Sequence, residues 1–130
     1  MRVSPLASGS NGNSTLVEAG GTRVLIDAGV SFLELRRRLE SVGVEPSAID
    51  ACVLTHDHAV DERVVRVLIR RPLAFLGMVG SRAKQRAFVQ RLRADGVPDG
   101  ELARLRTPLG LAIGADTPEE IAVSVVAQLI

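Results

Sequence analysis

Residues 51–61, Ala-Cys-Val-Leu-Thr-His-Asp-His-Ala-Val-Asp, decide the fold class of this 130-residue chain. The apolar run 51–54 predicts a buried strand, and the polar residues from Thr55 onward predict the turn that ends it. A helical pattern of apolar residues follows over Asp61–Arg71. A buried strand that runs directly into a helix is typical of an α/β protein.

The same reading extends to both ends of the chain. Three short strands at 2–7, 15–19 and 22–27 predict an antiparallel β-meander. After it, predicted helices (32–42, 61–71, 81–95, 98–105 and from 117 onward) alternate with predicted strands (51–55, 73–79 and 109–113). The residues expected to face inward from the last helix are Ile121, Ala122, Val125 and Leu129. We therefore expect one layered α/β domain over 1–130, with a mostly parallel Rossmann-like sheet in the C-terminal half and the meander before it.

Composition excludes several classes of function. Aromatic residues are limited to three Phe, so stacking platforms for single-stranded nucleic acid are not expected. The single cysteine, Cys52, excludes a disulfide framework and a cysteine-based zinc site. No apolar run reaches the ~20 residues that span a bilayer, and no signal peptide is evident, so we expect a cytoplasmic protein without a membrane partner. Residues 63–106 hold eleven basic and three acidic residues, which either attract phosphate-bearing ligands or form a solvated helix face.

The segment 55–58, Thr-His-Asp-His, holds both histidines of the chain. Side chains two positions apart in an extended segment point the same way, so His56 and His58 can bind one metal ion together. Asp27 ends another strand and can approach the same edge of the sheet. The sequence therefore predicts Asp27, His56 and His58 as zinc ligands. The alternative is that the histidines cap the strand end, since a catalytic zinc normally has three protein ligands.

A glycine turn leads from a predicted strand into a helix over 77–84, Gly-Met-Val-Gly-Ser-Arg-Ala-Lys. Free backbone N–H groups and the helix dipole make such a helix start an anion site, and its basic side chains add charge. The spacing differs from that of the P-loop and of the dinucleotide-binding fingerprint, and the alternative is a tight turn capped by Ser81. The residues predicted to bind a cofactor, with two carboxylates lining the same pocket, are Gly77, Gly80, Ser81, Arg82, Lys84, Asp57 and Asp61.

Residues 1–59 resemble the first part of the metallo-β-lactamase-fold hydrolases. The matching pieces are Leu6-Ala7-Ser8-Gly9-Ser10, Gly12-Asn13, Leu25-Ile26-Asp27-Ala28-Gly29 and Leu54-Thr55-His56-Asp57-His58-Ala59. That family binds one or two metal ions through H-x-H-x-D-H, and His56 and His58 match its first two ligands. Val60 stands at the Asp position, Asp61 stands at the last His position, and no histidine follows His58. The resemblance therefore implies an incomplete metal site.

Residues 51–130 resemble the C-terminal, Rossmann-like part of XdhC/CoxI-type proteins, the maturation factors of molybdenum-cofactor enzymes such as xanthine dehydrogenase. The resemblance runs through Thr55–Asp61, Phe75–Arg82, Pro108–Leu111, Ile113–Ala115 and Thr117–Ser124. It includes Val60 and Asp61, the two positions at which the hydrolase pattern fails. It implies a domain that handles molybdenum cofactor (molybdopterin), with a molybdenum-dependent dehydrogenase as its partner.

Three functions are open at this point. The leading hypothesis is a non-enzymatic, XdhC-like accessory module for molybdenum cofactor or a related phosphate-bearing ligand. The second is a metal-dependent hydrolase of metallo-β-lactamase fold that uses Asp27, His56, His58 and Asp61. The third is a chimeric chain without activity, joined at the Thr-His-x-His-Ala element that both families share. An apolar face left exposed by an incomplete domain also predicts a homo-oligomer.

Overall fold

A computed structural model describes residues 1–10, 12–55 and 58–129, and for residues 58–60 it describes the backbone alone. The strands are β1 (Arg2–Ala7), β2 (Ser14–Ala19), β3 (Thr22–Ile26), β4 (Ala51–Leu54), β5 (Phe75–Met78) and β6 (Leu105–Arg106). The helices are α1 (Phe32–Ser41), α2 (His58–Leu68), α3 (Arg82–Ala94), α4 (Asp99–Leu102) and α5 (Pro118–Leu129), with a 3₁₀ turn at Pro46–Ala48.

The sheet changes from antiparallel to parallel at β3. Its strand order is β1-β2-β3-β4-β5-β6; β1 pairs with β2 and β2 with β3 antiparallel, whereas β3 to β6 are parallel. The predicted buried strand, β4, lies between two parallel neighbours, with Cys52 opposite Leu25 on β3 and Leu76 on β5. The predicted α/β class, the N-terminal meander and the parallel C-terminal half are therefore confirmed.

The largest apolar cluster of the core lies on one face of the sheet, beneath α1, α2 and α3. The inward residues of paired strands form a row across the sheet: Leu16, Leu25, Cys52, Leu76 and Leu105. Side chains of the helices, with Ile69 just beyond α2, cover this row: Leu39, Val65, Ile69, Phe88 and Leu92. Successive right-handed crossovers that advance in one direction place their helices on the same face, which explains why this cluster lies there. On the central strand β4, Ala51 and Val53 are buried on the opposite face as well.

The predicted helix end at Gly43 is confirmed. Gly43 has a φ of +79°, in the left-handed region that glycine adopts without steric cost. Its N–H donates to Glu40 O at 3.0 Å, and the N–H of Val44 donates to Leu39 O at 3.0 Å. This pair of hydrogen bonds satisfies carbonyl groups that the end of α1 would otherwise leave without partners. The end of α3 at Gly96 has the same arrangement.

Salt bridges join α2 to α3 on their exposed sides. The Glu62 carboxylate accepts from Arg66 Nη2 at 2.7 Å and from Arg91 Nη2 at 2.9 Å. Arg66 also pairs with Asp95. Hydrogen bonds from Arg91 and then Arg66 hold the pKa of Glu62 below its ordinary value. Arg66 of α2 is thus neutralised by acidic partners on its own helix and at the end of α3.

The predicted strand at 109–113 is wrong. The last strand is instead β6, which precedes that segment. Gly110 has a φ of +101°, which does not fit an extended strand. Its N–H donates to Gln128 Oε1 at 2.8 Å, and the N–H of Leu111 donates to Ser124 O at 3.2 Å. The backbone of this segment therefore bonds to α5 rather than to a neighbouring strand.

The predicted inward face of α5 is also wrong. Ser124 is the buried residue of this helix, and Ile121 and Leu129 are 41% and 37% exposed. A Cβ at Gly110 would lie 2.3 Å from Ser124 Oγ, so the helix packs its Ser124 side onto a glycine. This leaves most of the apolar side chains of α5 in contact with water.

Candidate functional site

The parallel strands end along one edge of the sheet. The strands β3, β4, β5 and β6 run parallel, so the residues that follow their ends within two positions lie along this edge: Asp27, Thr55, Gly80 and Thr107. Ligands of open α/β sheets bind beyond the carboxyl ends of the strands. This edge is therefore the candidate site, and it holds Asp27 and Gly80, two of the residues predicted from the sequence.

Asp27 joins the ends of β3 and β4. Its Oδ1 accepts from Thr55 N at 2.7 Å and from Thr55 Oγ1 at 3.0 Å, and its Oδ2 accepts from the same hydroxyl at 2.8 Å. The Asp27 N–H donates to Val53 O at 2.8 Å. The expected approach of Asp27 to this edge is confirmed. Its carboxylate positions the start of the histidine segment, and its predicted role as a zinc ligand stays a prediction.

Two carboxylates lie near the thiol of Cys52. Asp61, in the first turn of α2, is 5% exposed, and Cys52 is fully buried in β4. Burial, followed by the negative charges of Asp27 and Asp61, raises the pKa of the Cys52 thiol to about 12. The thiol is therefore protonated and inert, and Cys52 serves as a small core residue.

We expect Cys52 to resist alkylation in the native protein. At about pH 8, a pKa near 12 leaves only about one thiolate in ten thousand, and burial blocks access to it. Iodoacetamide should modify the protein within minutes in guanidinium chloride but not over hours in native buffer, as followed by intact mass. Rapid stoichiometric labelling in native buffer would contradict both the burial and the raised pKa.

The start of α3 has the features of an anion site. Ser81 caps the helix, with its Oγ accepting from Lys84 N at 3.3 Å. The N–H groups of the next two residues have no partner inside a helix, and the first turn of α3 contains no acidic side chain. Arg82 and Lys84 are exposed at this turn. Ser81 can therefore cap α3 while the other N–H groups of its first turn bind an anion.

The two glycines before α3 have different surroundings. A Cβ at Gly77 would lie 2.4 Å from Leu109 Cδ1, so this glycine lets the segment after β6 pack on β5. At Gly80 the nearest atoms would be Thr107 Oγ1 at 3.8 Å and Lys84 Cβ at 3.9 Å. A Cβ at Gly80 would therefore make only ordinary van der Waals contacts, with Thr107 and with the start of α3, whereas Gly77 has a packing role.

Thr107 is a site residue that sequence reasoning missed. It follows β6 and is only 6% exposed, and its Oγ1 has no hydrogen-bond partner within the described part of the chain. A buried hydroxyl without a partner costs about 1–3 kcal/mol, so it is rare unless a ligand or water satisfies it. The signal in the sequence is a threonine directly after a strand, but the strand was predicted at 109–113, beyond Thr107, rather than at Leu105–Arg106.

The remaining predicted site residues lie partly outside the described residues. His56 and Asp57 are outside them, and His58 begins α2 with only its backbone described. Within residues 1–10, 12–55 and 58–129, no group of three or more His, Cys, Asp or Glu side chains could hold a metal ion. Among the same residues, no helix combines the length and the apolar character needed to cross a membrane.

The family follows from comparison with known proteins. Residues 15–129 match the family model of the XdhC Rossmann domain. The chain belongs to this family. The match begins in β2, so the XdhC domain reaches well ahead of residue 51, where the resemblance was predicted to start, and includes most of the meander and α1.

Three relatives extend this comparison. Escherichia coli (strain K12) YqeB is 40% identical over 95 residues, which cover 70% of this chain and 18% of YqeB. The exodeoxyribonuclease WalJ of Streptococcus pneumoniae is 37% identical over 70 residues, covering 54% of this chain and 26% of WalJ. The crystal structure of a xanthine dehydrogenase from Bacillus halodurans matches with a TM-score of 0.53 and 29% identity, over 77% of this chain and 27% of that one. This XdhC-family chain thus spans between about a fifth and about a quarter of the length of its relatives.

Proposed function

We propose that this chain is the ligand-binding module of an XdhC-type accessory protein and holds the phosphate group of molybdenum cofactor at the start of α3. In this role it serves the maturation of xanthine dehydrogenase-type enzymes, and its partner is a molybdenum-dependent dehydrogenase. The family match and the similarity to the Bacillus halodurans protein support this enzyme context. The observation that carries the proposal is the buried Thr107 hydroxyl beside the acid-free start of α3.

The residues at this edge suit a phosphate group. The N–H groups of the first turn of α3 and the side chains of Arg82 and Lys84 supply donors and positive charge. The Thr107 hydroxyl, whose oxygen would lie 3.8 Å from a Cβ at Gly80, would donate to a phosphate oxygen at this position. The bound cofactor would supply the dithiolene sulfurs that carry molybdenum, while these residues bind and orient its phosphate end.

The proposal is tested with Thr107→Val, which removes the hydroxyl but keeps the shape of the side chain. We expect affinity for inorganic pyrophosphate, and for molybdopterin under anaerobic conditions, to fall roughly tenfold, because a hydrogen bond to a charged group contributes about 1.5–3 kcal/mol. The free energy of unfolding without ligand should rise by about 1 kcal/mol, since the buried hydroxyl has no partner in the described part of the chain. Isothermal titration and urea unfolding measure the two effects.

Ser14→Ala is the matched control for Thr107→Val. Ser14 also has a fully buried hydroxyl without a partner among the described residues, but it lies at the start of β2. It should change stability without changing affinity. Gly80→Ala should weaken binding several-fold at unchanged stability, because the added methyl would stand beside Thr107 Oγ1, whereas Gly100→Ala, where a Cβ meets no atom within 4 Å, should not. Unchanged affinity in both Thr107→Val and Gly80→Ala would exclude this edge as the phosphate site.

The similarity to WalJ supports a second candidate, a metal-dependent hydrolase. In this function Asp27, His56, His58 and Asp61 would bind zinc at the same edge of the sheet. Protein purified without a histidine tag should then contain stoichiometric zinc, and His56→Ala combined with His58→Ala should remove it. A chain that binds neither zinc nor pyrophosphate would support the third hypothesis, a chimeric chain without activity. The homo-oligomer stays a prediction, which the exposed apolar side chains of α5 support.

A further inference from the structure

A groove of about 660 Å³ lies between α1 and α2, on the helical face of the sheet, and the loop at 28–31 that follows β3 also lines it. Its floor is formed by apolar side chains of the core and its margin: Leu25, Leu35, Val64 and Leu68. Two large apolar side chains stand at its walls, Phe32 at 60% exposure and Val67 at 55%. Apolar residues exposed side by side around a groove mark a surface that binds a partner.

The rim of this groove is positively charged. Arg63 and Arg71 line it, and its described lining contains no acidic residue. Neither arginine has an acidic partner among the described residues, in contrast to Arg66 on the same helix, which pairs with Glu62 and Asp95. The acidic residues Glu62 and Asp95 thus already form salt bridges between α2 and α3. The two arginines of the groove can pair with carboxylates of a partner.

The order of these residues along the chain defines the charge pattern. Arg63 and Val67 lie four residues apart on α2, and Arg71 follows in the turn beyond it, where its N–H donates to Leu68 O at 2.9 Å. All three line the groove, so an apolar side chain separates the two cations along the chain.

We infer that the groove between α1 and α2 binds an amphipathic helix of a partner protein, with acidic residues at both ends of its apolar face. Helices dock into such grooves through apolar side chains at i, i+3, i+4 and i+7. Phe32 and Val67 contact these side chains, while Arg63 and Arg71 pair with the flanking carboxylates. Burial of the apolar face supplies most of the affinity, and the two charge pairs select the partner and its direction.

A synthetic helical peptide of about 15 residues tests this inference, with leucines at i, i+3, i+4 and i+7 and a glutamate on each side of them. Its labelled form should bind the full chain in fluorescence anisotropy, and the same peptide with lysines in place of the glutamates should not. Val67→Asp, and separately Arg63→Ala with Arg71→Ala, should each weaken binding at least tenfold. These side chains are exposed, so the variants should keep the wild-type melting temperature.

Arg37→Ala combined with Arg86→Ala is the matched control, since it removes the same charge from exposed positions outside the groove. It should change affinity less than twofold. Equal binding of the lysine peptide, or equal loss in the control variant, would overturn the inference. The inference would also be overturned if sedimentation velocity showed a dimer of the wild type that Val67→Asp abolishes, since a second copy would then occupy the groove. Tight binding of the wild type, but not of Val67→Asp, to phosphatidylglycerol vesicles would assign the groove to a membrane instead.

Discussion

Gly12→Ala is expected to lower the free energy of unfolding by at least about 3 kcal/mol and the melting temperature by roughly 10 °C. A Cβ at this position would lie 2.0 Å from the carbonyl oxygen of Gly29 and 2.4 Å from its carbonyl carbon. These are backbone atoms, held in place because the Gly29 N–H donates to Asn13 O at 2.9 Å. The φ of +123° at Gly12 adds a second cost, since side-chain-bearing residues rarely adopt it.

Gly9→Ala separates these two costs. Gly9 lies in the same loop with a φ of +145°, but a Cβ there would meet no atom within 4 Å. Its replacement should therefore cost only the backbone conformation, about 1 kcal/mol. Urea unfolding followed by circular dichroism gives both values by linear extrapolation. If Gly9→Ala and Gly12→Ala lowered the free energy of unfolding equally, Gly12 would not lie against the backbone of Gly29, contrary to the structure.

Leu16→Ala should cost about 2–5 kcal/mol, the range for a buried leucine whose cavity cannot collapse fully. Leu16 is 0% exposed and lies opposite Leu25 in the row of core residues. Val17, the next residue, points to the other face of the sheet and is only half-buried. Val17→Ala should therefore cost less than about 1.5 kcal/mol, because it removes fewer buried atoms. If Val17→Ala lowered the free energy of unfolding more than Leu16→Ala, the core would lie on the face of β2 opposite to the one that the structure shows.

Leu16→Ala also tests whether the meander and the parallel strands unfold together as one cooperative unit. Leu16 on β2 and Cys52 on β4 belong to one core. Loss of Leu16 should therefore increase the rate at which the Cys52 thiol is alkylated, by about tenfold for each 1.4 kcal/mol of stability lost. If β2 unfolds while Cys52 stays protected, the chain consists of two units that fold separately, and the one-domain prediction fails.

Local sequence patterns predicted the parts of the molecule that neighbouring residues decide. The start of α5 is one example: Thr117 Oγ1 accepts from Glu120 N at 3.3 Å, and the Glu120 carboxylate accepts from Thr117 N at 3.0 Å. These backbone donors hold the pKa of Glu120 below its ordinary value. The reciprocal cap needs only residues within one turn, so it was predictable from the spacing of Thr and Glu. The glycine turn before α3 was predictable for the same reason.

The site was only partly predictable because its members come from distant segments. The start of α3 and the approach of Asp27 to the end of β4 follow from patterns within single strands and their turns. Thr107 does not, because β6 is two residues long and contains a charged residue, Arg106. So short a strand exists through its pairing with β5, which no local pattern records.

The stretch from Ala51 onward determined, by itself, an α/β chain with β4 at its centre. A buried apolar strand that leads straight into a helix has few other folded arrangements. Tertiary structure alone decided which residues meet at the strand ends, and that α5 packs through Ser124 onto Gly110 rather than through its apolar residues. It also decided that the α1–α2 groove is lined by two arginines that have no acidic partner in the described part of the chain. These outcomes depend on contacts between residues far apart in the chain, where burial and packing override the local hydrophobic period.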